Sequence, residues 1–118
     1  MNTALEAGWD AVGYDLNHGL VEAANRHWGF KACKAGRLEE IEEAFAGAFD
    51  AVLTNQVFEH FQRPLETGMK LVGLLKAGGV LYIEVPNVRR PREWFQRGAT
   101  LDPTAHWCHF QTATMKAH

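Results

Sequence analysis

Phe49-Asp50-Ala51-Val52-Leu53-Thr54-Asn55, a helical pattern opening at Pro64, and Val80-Leu81-Tyr82-Ile83-Glu84-Val85 together decide the fold class. The first run is almost continuously apolar, as in a strand buried on both faces within a parallel sheet covered by helices. Pro64 suits the first turn of a helix, where its missing N–H costs nothing. Leu65, Met69, Val72 and Leu74 or Leu75 then recur at helical spacing and predict its buried stripe. Lys76-Ala77-Gly78-Gly79 reads as the close of that helix, and the second run is the clearest strand in the chain, stopped by Pro86. Strand, helix and strand in this order read as a right-handed βαβ crossover.

The same alternation continues toward the N-terminus. Ala11-Val12-Gly13-Tyr14-Asp15 reads as a strand, and Asn17 as a helix N-cap. Leu20, Val21, Ala24 and Trp28 predict a helix over about Gly19 to His27, ended by Gly29. Phe30-Lys31-Ala32-Cys33 reads as a short second strand. Leu38, Ile41 and Phe45 share one face of a helix whose other face, Glu39, Glu40, Glu42 and Glu43, is a solvated acidic surface. The expected architecture is α/β, a Rossmann-like parallel sheet with flanking helices. Residues 1–118 form one domain: a sheet-and-helix core over about 1–87, then a lid-like loop and the start of a helix over 88–118.

Composition narrows the function classes. Twelve Lys and Arg against fourteen Asp and Glu give a net charge of −2, which argues against a dedicated nucleic-acid binder. Hydrophobic residues at 47% and charged residues at 22% are ordinary for a globular chain. No apolar run approaches the ~20 residues that span a bilayer, and the N-terminus lacks the pattern of a secretory signal. Cys33 and Cys108 are too few for a disulfide scaffold, so the expected compartment is the cytoplasm, with no membrane partner.

In open α/β sheets ligands bind beyond the carboxyl ends of the strands, which selects Asp15, then Asn55 and Gln56, then Pro86 and Asn87. A carboxylate at the end of a strand can accept two hydroxyl protons from a ribose diol. An acid at such a junction also serves simply as an N-terminal helix residue.

The string Gly13-Tyr14-Asp15-Leu16-Asn17, with Val21-Glu22-Ala23-Ala24, resembles the second strand and helix of class I S-adenosylmethionine-dependent methyltransferases. Phe49-Asp50-Ala51-Val52, then Val57-Phe58-Glu59-His60-Phe61 and Pro64, is similar to that family's fourth-strand motif. Leu75 to Leu81 and Val85-Pro86-Asn87 resemble the turn and strand that follow. His106-Trp107-Cys108-His109-Phe110-Gln111-Thr112 is similar to a segment of the small-molecule-type branch. The resemblance covers about Ala4 to Met115, with four pieces in family order.

The resemblance implies S-adenosylmethionine-dependent methyl transfer to a small-molecule acceptor. Asp15 would hold the ribose hydroxyls and Leu16 would lie against the adenine. Gly36, Arg37 and Leu38 would line the adenine edge, in a loop without the acidic residue often found there. Asn55 and Gln56 would lie beside the methionine part of the cofactor. Glu59 and His60 are the catalytic candidates, near the approach of the acceptor, although His60 serves equally well as a loop-fixing residue. A base is required only when the acceptor loses a proton during transfer.

The chain also departs from the family. Only Met1 to Asp10 precede the first strand, with Gly8 as their single glycine, where members carry a strand and a Gly-rich loop. The strands that complete the sheet after Thr112 are missing as well. The expectation is the middle of a methyltransferase domain, a poor cofactor binder that self-associates as a homodimer or pairs with a complementing chain. The alternative is a non-catalytic fragment or interaction module retaining the fold. Three further readings rank lower. The basic aromatic segment Arg89 to Arg97 could hold nucleic acid. His106-x-Cys108-His109 matches no standard zinc spacing, so no metal is expected. A nicotinamide dinucleotide site lacks the same Gly-rich loop.

Overall fold

A computed structural model describes residues 2–29 and 32–86. The chain divides into two compact units, Met1–Ala44 and a second beginning at Phe45.

In the first unit, α1 (Asn2–Glu6) precedes β1 (Gly13–Asp15), α2 (His18–Trp28), β2 (Cys33–Ala35) and α3 (Leu38–Phe45), which ends at the unit boundary. β1 and β2 pair in parallel, Gly13 with Cys33 and Asp15 with Ala35, so α2 is the crossover of a βαβ unit. Its start is local chemistry: the Asn17 side chain accepts from Leu20 N at 3.2 Å. Its end is Gly29, at φ 70°, whose N–H donates to Asn25 O. The sequence places this helix correctly to within a residue at each end. Of its expected stripe only Val21 is buried, while Leu20 and Trp28 are exposed. The second strand lies later than expected, at Cys33–Ala35, where it pairs with β1, and the Asn25 side chain bonds both backbone groups of Cys33. Phe30 and Lys31 lie outside the described residues.

In the second unit, β3 (Phe49–Asn55) leads through a short 3-10 helix (Phe58–His60) into α4 (Pro64–Gly73) and β4 (Leu75–Glu84). β3 and β4 are parallel, with Leu53 opposite Tyr82 and Asn55 opposite Glu84. The α/β class and the parallel pairing thus follow the sequence.

Three expectations for this unit are corrected. First, Lys76–Gly79 does not close α4, which ends at Gly73. These residues form a bulge in β4, between the pairs Phe49–Leu75 and Ala51–Val80. Gly78, at φ 81°, turns the chain, and Gly79 brings it close: a Cβ there would lie 3.1 Å from Asp50 O. Second, Leu65, Met69 and Val72 are exposed, and α4 buries Thr67 and Leu71 instead; of the expected stripe only Leu74, just past the helix end, is buried. Gly68 lies on the same side, with the buried Phe58 ring in ordinary van der Waals range, 3.7 Å from where a Gly68 Cβ would be. Third, the sheet is not covered on both faces by the described residues. Val52, Thr54, Leu81 and Ile83 are half-buried, whereas Leu53, Val80 and Tyr82 are 65%, 62% and 51% exposed. A single crossover helix covers a single face. Expectations for Asn87, Arg89 to Arg97, His106 to Thr112 and the terminal helix lie outside the described residues.

Candidate functional site

The first unit presents one cluster at the carboxyl ends of its two strands. Asp15 is the last residue of β1, and its Oδ1 accepts from Asn17 N at 2.7 Å. This short Asx turn fixes the carboxylate while leaving it exposed. The Asp15 carbonyl accepts from Gly36 N at 3.2 Å, which ties the loop after β2 to the end of β1. Leu16 is exposed beside the acid; Arg37 is exposed and Leu38 is half-buried.

Gly36 holds a feature that the linear sequence hides. A Cβ at this position would lie 3.2 Å from Glu40 Oε2 and 3.4 Å from the Tyr14 ring. The loop itself has no acidic residue, but α3 returns a carboxylate to it from the acidic face read as mere solvation. No signal in the sequence singles out Glu40 from its three acidic neighbours, since Gly36 lies outside α3 and the fold makes the approach.

The second unit ends its parallel strands in a different way. Asn55 closes β3 and faces Glu84 across the pair, on the face that carries Leu53 and Tyr82. Gln56 follows with φ 52°, the positive φ of a non-glycine residue among those described, and its N–H donates to Glu84 O at 2.9 Å. Backbone strain of this kind collects at ligand-holding turns. Tyr82 Oη donates to Glu84 Oε2 at 3.2 Å, and that hydrogen bond, with the Glu84 charge, raises the phenol above its ordinary 10.0.

The two catalytic candidates part company at the 3-10 helix. Glu59 is only 3% exposed, while its neighbour His60 is exposed. Among the described residues, Glu59 Oε2 is buried without a hydrogen-bond partner, and so is Thr54 Oγ1. Buried unpaired oxygens are uncommon, since each forfeits hydration without recompense. Asp15, Leu16, Arg37 and Leu38 fall together in the first unit, and Asn55, Gln56, Glu59 and His60 in the second.

Among the described residues, no three His, Cys, Asp or Glu side chains gather as a metal site. Among the same residues, no helix is long and apolar enough to cross a membrane. A family model described as "Methyltransferase domain" matches residues 2–117. No curated protein and no solved structure matches the chain.

Proposed function

The chain belongs to the methyltransferase-domain family, and from that premise we propose that it binds S-adenosylmethionine and methylates a small-molecule acceptor. The observation that carries the reading is the Asp15 carboxylate, pinned by Asn17 N–H at 2.7 Å at the carboxyl end of a parallel strand. The surrounding groups suit a nucleoside. With Oδ1 oriented by the backbone, the carboxylate accepts the ribose hydroxyls. Leu16 offers exposed apolar surface to the adenine. The absence of a side chain at Gly36 lets Glu40 and Tyr14 approach the loop closely, and the exposed Glu40 carboxylate would accept from an exocyclic amine. Arg37 and Leu38 line that edge.

Asn55 and Gln56 take the methionine part, with the strained Gln56 backbone holding the turn in one geometry. When bound, the cofactor supplies a methyl group on a positively charged sulfur, so the protein's main task is alignment. His60, exposed at the end of its 3-10 helix, accepts the acceptor's proton where one must leave. Glu59 is buried and shapes the turn that carries His60.

Calorimetric titration with S-adenosylhomocysteine tests the reading without a guess at the acceptor. The expected result is micromolar binding near one ligand per chain, lost in Asp15→Ala. No heat from a folded sample favours a non-catalytic module that retains the fold.

A further inference from the structure

We draw no further inference here: the strongest candidate, the buried Glu59 carboxylate in the 3-10 helix after β3, whose Oε2 has no hydrogen-bond partner among the described residues, is closed to solvent, and nothing in the structure shows what group it would hold.

Discussion

The Asn25 carboxamide holds both backbone groups of Cys33, donating to its carbonyl at 2.8 Å and accepting from its N–H at 3.1 Å. The side chain thus acts as one residue of a further strand, and it joins α2 to the edge of β2. Asn25→Ala should cost about 2 kcal/mol, two hydrogen bonds at ~1 kcal/mol each. The check is amide exchange at Cys33, which should speed up far more than exchange in β3.

The bulge in β4 separates a close backbone approach from a surface ion pair. Lys76 Nζ meets Asp50 Oδ2 at 2.8 Å, but the side chains are 50% and 86% exposed, so Lys76→Met should change stability by less than ~1 kcal/mol. A Cβ at Gly79 would lie 3.1 Å from Asp50 O and from Leu75 side-chain atoms. Gly79→Ala should therefore cost about 1–3 kcal/mol, the usual range for overpacking. Urea midpoints of the two variants decide it, with Gly79→Ala shifted down and Lys76→Met barely moved.

Thr54 Oγ1 is buried with no hydrogen-bond partner among the described residues, so its hydroxyl is a liability in the fold. Thr54→Val keeps the shape and removes the unpaired group, and should stabilise by about 1 kcal/mol. A lower urea midpoint in this variant would show that the hydroxyl is satisfied by water.

Gln56 pays for its position in backbone strain, with φ at 52°. Gln56→Gly should raise stability by about 1 kcal/mol as that strain is relieved. If Gln56 holds the methionine part of the cofactor, S-adenosylhomocysteine affinity should fall in the same variant. Rising stability with unchanged affinity would remove Gln56 from the site.

The Tyr82 phenol is raised above 10.0 by its hydrogen bond to Glu84 and by that carboxylate's charge. Its contribution to stability is present below pH 10, where the phenol is protonated folded or unfolded. It is lost as pH rises through the folded value. The chain has two tyrosines, so Tyr14→Phe isolates the signal of Tyr82. Phenolate absorbance in that background should appear above pH 10, and Glu84→Gln should bring its midpoint down toward 10.

Much of the fold was legible because local signals sufficed. Asn17 and Gly29 bound α2 by capping chemistry that acts within one turn, and Pro64 sits in the first turn of α4. Asp15 was selected as the end of a parallel strand, and it is the last residue of β1. The face that α4 buries was illegible, because it contains the polar Thr67 and the small Gly68, which packs at ordinary contact distance from the Phe58 ring. Hydrophobicity alone favoured Leu65, Met69 and Val72. Glu40 was similarly hidden among four glutamates, and only the return of α3 beside Gly36 distinguishes it.

By itself, then, the sequence determined the order of strands and helices, their parallel sense and the strand ends where chemistry collects. Those features depend on periodicity, capping and the preferred handedness of crossovers, all of which act between near neighbours. The tertiary structure decided that Lys76–Gly79 is a bulge, that Glu59 is inside while His60 is outside, and that Asn55, Tyr82 and Glu84 share one face. Register and burial depend on which distant surfaces meet, and packing of whole side-chain volumes settles that rather than any residue's own preference.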